Sequence, residues 1–153
     1  MLLFMLRWSY ATHIVGADIT YKHISGNRYE FTLDIYRDCA GQNVASQYQI
    51  DYGSLSCNIQ NSFRVNPVSK EEISPVCPSR PSICQGGREI GIERYVYKGI
   101  VELPGKCSDW VFSWSRLDEF RNAGITNIID PQTTSIYIEA RLNNLAFDNN
   151  NSP

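Results

Sequence analysis

The sequence has no block of like charge and no long apolar run. Fourteen Lys and Arg stand against sixteen Asp and Glu, a formal charge of −2. No basic field exists to attract nucleic acid, and no run of charge marks an electrostatic tail. No stretch approaches the ~20 apolar residues of a transmembrane helix, so a membrane span is not expected. Histidine occurs only at His13 and His23, and the five cysteines contain no C-x-x-C knuckle, which argues against a structural zinc site. There is no G-x-S-x-G elbow, no Walker loop and no H-E-x-x-H, so the common signatures of acyl transfer, nucleotide binding and metalloproteolysis are missing. Gly86-Gly87-Arg88 is followed by no helix that could offer a phosphate its N-terminus. Asp34 and Asp38 read as surface charge, since nothing in the sequence signals burial or a perturbed carboxyl. No catalytic residue and no cofactor is expected.

What is present describes a folded β domain. The 153 residues are 42% hydrophobic and 20% charged, enough for one domain with a core and too apolar for a disordered chain. Nine Tyr, three Trp and six Phe favour strands. Alternation of apolar and polar positions places strands at 14–21, 29–36, 47–52, 63–65, 90–103, 110–114 and 135–142. Asn66-Pro67 reads as the stop of the fourth, and 74–87 as a Pro/Cys-rich loop. Only Ser115 to Asn122 has helical character. Seven to eight short strands with turns every ten residues or so predict an all-β, antiparallel, immunoglobulin-like two-sheet sandwich with a long disulfide-stapled loop.

The ends read differently. Residues 1–11 pair an apolar start with small residues at Ser9 and Ala11, as in a truncated signal peptide cut after Ala11. Residues 12–145 form the sandwich module, and the polar stretch 146–153 reads as a truncated inter-domain linker. In an exported chain disulfides are the default for cysteine. Cys77 and Cys84 bracket the Pro-rich loop and are candidates for a local bridge. Cys39 and Cys57 are candidates to close the loop between two strands, which leaves Cys107 unpaired; other pairings stay open. Asp148, in an Asp-Asn-Asn-Asn run, is a weak calcium candidate. A cut after Thr12 instead would expose His13 as an amino-terminal copper ligand with His23, the arrangement of a polysaccharide oxidase; the small-x-small pattern favours the earlier cut and reads both histidines as strand residues. Trp110 and Trp114 lie on one face of a strand. Exposed, they would form a platform for a surface glycan; buried, they would be core.

Several stretches taken together carry a family resemblance: THIVGADITYKHISGNRYEFTLDIYRDC from Thr12 to Cys39, SPVCPSRPSICQGG, GIERYVYKGIVELPGKCSDWVFSWS, ITNI and TSIYIEARLNNL. They resemble the first module of large exported Bacteroidetes proteins known as gliding-motility-associated C-terminal domain proteins, which include adhesin-like surface chains. The resemblance implies a parent chain of sandwich repeats ending in a sorting domain for type IX secretion, exposed at the cell surface or released. It implies a non-catalytic structural or adhesive role, with downstream sandwich repeats as partners and a surface glycan or protein as possible ligand. Where the family has a Cys-Cys-Arg-Asn run, this chain has Arg116 to Asn122, and the loss of those cysteines accounts for the odd count.

Overall fold

The computed structural model describes residues 14–120, 125–147 and 149–152. Seven strands run in the order β1 (Ile14–Ser25), β2 (Arg28–Asp38), β3 (Tyr48–Ser54), β4 (Ile59–Glu72), β5 (Ile92–Glu102), β6 (Trp110–Phe120) and β7 (Ser135–Leu142). All pairings are antiparallel, with spatial order β1-β2-β5-β4-β3-β6-β7. Strands β1, β2, β5 and the second half of β4 make one sheet (sheet A). The first half of β4 joins β3, β6 and β7 in the other (sheet B). Connecting the first, second, fifth and fourth strands on one side and the third, sixth and seventh on the other is the immunoglobulin arrangement, here nearly closed into a barrel because β4 belongs to both layers.

The alternation in β2 shows why the layers form. Tyr29, Phe31, Leu33 and Ile35 are at most 1% exposed, and their neighbours carry the polar outer face. Across the core, Phe31 of sheet A meets Phe112 of sheet B at 4.1 Å between ring centres, and Tyr48 packs edge-on against both Tyr97 and Trp114. Such aromatic contacts each add about 1 kcal/mol beyond the area they bury. Trp110 and Trp114 are 0% and 1% exposed. They are core, and the open aromatic platform is excluded because β6 turns its even-numbered side chains inward.

Two local expectations fail for tertiary reasons. Pro67 does not end β4. The strand runs through it while changing partner, from β3 over Ile59–Val65 to β5 from Asn66 onward, with a bulge at Val68. A proline, which lacks an N–H, is tolerated at such a bulge. Gly99 of β5 sits against this corner; a Cβ there would lie 2.5 Å from the Arg64 carbonyl oxygen, so only glycine allows the approach. Second, the supposedly helical stretch belongs to β6 up to Phe120, paired with β7 through Arg116–Ile136 and, after a shift in register, Phe120–Ser135. Pairing across the sheet overrides weak local propensity.

The disulfides also differ from the expected pairs. Cys39 joins Cys84 and Cys57 joins Cys107, while Cys77 is free and exposed. Cys107 is therefore not the orphan; it is bonded and buried. The ladder explains both bonds. Asp38 pairs with Ile92 and Cys39 N–H donates to the Gly91 carbonyl at 2.9 Å, so Cys39 sits where the loop before β5 returns. Cys84 folds over Gly91, whose missing side chain leaves room for the Cys84 sulfur. At the other end Ser54 pairs with Trp110, which brings the β3–β4 turn holding Cys57 to the segment leading into β6. Residues near in sequence lost to residues made near by strand pairing.

Candidate binding face

One end of the sandwich holds charges that face each other. Glu93 meets Arg37 at 3.6 Å and Lys70 at 2.5 Å, and Arg37 and Glu93 are nearly buried. Arg37 also donates to Asn43, to the Asp38 carbonyl and to the Cys39 carbonyl, and Tyr95 donates to Glu93 at 2.9 Å. The hydrogen bond to Glu93 raises the Lys70 ammonium above its ordinary value. This is a satisfied structural cluster that closes the core. The Cys39, Cys84 and Glu93 ligand atoms lie within 4.8 Å of one another, but both sulfurs are consumed in the bond between them and offer no thiolate.

The loop beyond, from Ile73 to Gly91, is held as firmly. Buried Ser82 donates to Glu72 and accepts from Cys84 N–H at 3.1 Å. Gln85 donates to the second Glu72 oxygen at 2.6 Å. The Ser82 bond, then that of Gln85, holds the Glu72 carboxyl below the usual range. The Cys77–Cys84 bridge is not needed to give this loop its shape.

The outer faces of the two sheets differ. On sheet A, Arg94 binds Asp34 bidentately at 2.9 and 3.2 Å and reaches Glu71, and Lys98 binds Glu30 at 2.9 Å. Three carboxylates of that face are thus held by its own cations. On sheet B the outward positions include Gln60, Ser62 and Arg64 of β4, Asp51 and Gly53 of β3, Val111 and Ser113 of β6, and Glu139 and Arg141 of β7, by the alternation of each strand. The central ones are small, so the face is hollowed into a trough of about 980 Å³ whose lining runs from Gln60 to Arg141. A second hollow of about 510 Å³ adjoins it where Asn150 and Asn151 lie beside β1 and β7, and Asp109 and Arg141 line both.

Asp109 closes one end of the trough. Its carboxylate accepts from Ser54 Oγ at 2.5 Å, Ser56 Oγ at 2.6 Å and Ser56 N–H at 2.9 Å. The Ser54 hydroxyl, then Ser56, lowers its carboxyl to about 2. The clamp fixes the β3–β4 turn beside Cys57–Cys107. Elsewhere the trough is less occupied. Among the described residues Asp51 accepts only from Gln49, and Arg141 donates only to Glu139, through Nε. Among the described residues the side chains of Asn58, Gln60 and Ser62 make no hydrogen bond.

His23 is a turn residue: its ring nitrogen lies 2.9 Å from the Gly26 carbonyl oxygen and its ring packs on Tyr29. His13, Asp148 and the segment read as a signal lie outside the described residues. Asn151 and Ser152, within the stretch read as a linker, bond to the edge of β1 at His23 N–H and at Tyr21 N–H and carbonyl. The trough escaped the sequence reading because it has no aromatic marker. Its trace is the pairing of small outward residues, Gly53 beside Val111 and Asp51 beside Ser113, visible only once β3 and β6 are known to be neighbours. No family model, curated protein or solved structure matches the chain.

Proposed function

We propose that this chain is a non-catalytic structural and adhesive module of an exported bacterial surface protein, linked to gliding motility or adhesion. The observation that carries the reading is the pair of disulfides, Cys39–Cys84 and Cys57–Cys107, which tie together loops 45 and 50 residues apart in sequence at two ends of the sandwich. Bonds of this kind form and persist in oxidising compartments. They suit a rigid unit that must keep its shape outside the cell. No helix among the described residues is long and apolar enough to cross a membrane. The ionisable clusters at Glu93, Glu72 and Asp109 are each engaged by neighbours that hold structure, which favours shape over reactivity. The resemblance to the first module of gliding-motility-associated proteins adds the surface location, the type IX route and the downstream repeats as covalent partners.

The test is protease shaving of intact cells of the source bacterium, combined with alkylation of thiols before lysis. The reading expects the chain to be degraded by external protease and to yield one alkylated cysteine, Cys77. A chain shielded from protease until lysis, with all five cysteines alkylated, overturns it.

A further inference from the structure

We propose that the trough on the outer face of sheet B is a binding site for a neutral, hydroxyl-rich glycan chain. The inference deepens the adhesive part of the reading above and rests on it for the ligand's setting alone.

The two outer faces of the same sandwich supply the argument. On sheet A the carboxylates Glu30, Asp34 and Glu71 are held by Lys98 and Arg94. On sheet B the face has the same strand construction, yet Asn58, Gln60 and Ser62 are left without partners among the described residues, and Asp51 and Arg141 each commit only part of their capacity. Four strands at the usual spacing make this face roughly 14 Å across, and its hollow of about 980 Å³ lies at the upper end of the range for ligand sites.

The chemistry of the lining selects the occupant. Carboxylate, amide, hydroxyl and guanidinium groups together offer donors and acceptors in a mixed array, which matches a ligand that presents both on every ring. Val111, on the floor between Gly53 and Arg141, supplies an apolar spot for a sugar's C–H face, and the half-exposed Tyr137 extends it along β7. A polyanion is disfavoured, because Asp51, Asp109 and Glu139 outnumber Arg64 and Arg141 on or beside the trough. A protein partner is disfavoured as well, since its energy would come from aromatic and apolar anchors seated in dry pockets, whereas this trough is open and its apolar surface is spread over Leu55, Ile59 and Val111 among polar groups.

The test uses the purified chain, titrated calorimetrically with cellohexaose, xylohexaose, mannohexaose and chitohexaose, and with a heparin hexasaccharide as polyanion. At least one neutral hexasaccharide is expected to bind at millimolar concentration or below, and the heparin fragment is not. Val111→Arg, which fills the trough, is expected to abolish binding. Asp51→Ala and Gln60→Ala, both exposed, are each expected to weaken it about tenfold, the worth of a hydrogen bond to a charged or well-placed polar group. Thermal melts identify a variant that has lost its fold; if Val111→Arg is one, the two exposed alanine variants decide. Absence of binding by every neutral glycan, binding untouched by these variants, or binding of heparin alone overturns the proposal. None of those outcomes bears on export, which the shaving experiment decides separately.

Discussion

Removing the Cys39–Cys84 bond is the sharpest probe of the proposed architecture. The perturbation is the double variant Cys39→Ala/Cys84→Ala, which leaves Cys57–Cys107 in place and creates no unpaired thiol. The bond closes a sequence separation of 45 residues, and a cross-link of that span restricts the unfolded chain by about 4 kcal/mol in the chain-entropy treatment. The intact second bridge shortens the effective loop little, so most of that figure should survive. Against a total stability of roughly 5–15 kcal/mol, the loss is large without being fatal. The assay is equilibrium unfolding in urea followed by tryptophan fluorescence, because Trp110 and Trp114 are buried in the folded chain. With a denaturant slope of about 1–3 kcal/mol per molar, the midpoint should fall by roughly 1–4 M. A loss below about 1 kcal/mol would refute the reasoning that the bridge constrains a long, otherwise free loop. Non-reducing peptide mapping supplies the companion check: peptides joined as Cys39–Cys84 and Cys57–Cys107 are expected, and a Cys77–Cys84 species would show that the ladder geometry is wrong.

Other perturbations probe single contacts. Glu93→Ala strands Arg37 in a nearly buried site and should cost about 3 kcal/mol, readable as a lowered urea midpoint; an unchanged midpoint would mean that Asn43 and the neighbouring carbonyls suffice. Gly99→Ala drives a methyl against the Arg64 carbonyl and should cost about 2 kcal/mol, whereas Gly105→Ala, where a Cβ meets nothing within 4 Å, should be nearly silent. Asp109 has a folded-state carboxyl depressed to about 2 by Ser54 and Ser56, so its contribution is complete above the unfolded value near 4 and is lost as pH falls through about 2. Wild type and Asp109→Asn should therefore differ most above pH ~4 and converge on acidification towards pH ~2; a gap that stays constant over that range would remove the carboxylate from the account.

The strands were legible where one side chain in two faces the core. β2 reads from Tyr29, Phe31, Leu33 and Ile35, and β7 from Ser135 to Leu142 was visible to the residue. What could not be read was anything settled by a partner strand. Pro67 looks like a stop in isolation and becomes a corner only because β5 waits on the far side with Gly99. Arg116 to Phe120 looks helical until β7 lies alongside. Cysteine pairing failed for the same reason, since proximity along the chain favoured Cys77–Cys84 while the ladder carried Cys39 to Gly91. Trp110 and Trp114 were correctly placed on one face, but which face was buried depended on the sheet opposite. The trough is the extreme case, built from small residues of neighbouring strands that carry no signature singly.

The interleaving of the two bridges has a mechanical meaning for a chain under load. In extension the Cys57–Cys107 bond bypasses 50 residues of separation, so an oxidised domain torn open lengthens by on the order of 170 Å less than a reduced one. Because Cys84 lies between Cys57 and Cys107 while Cys39 lies outside, the bonds act in parallel. Should the longer tether break, the other still withholds its own 45 residues of separation, and the slack released by the first rupture is only a few residues.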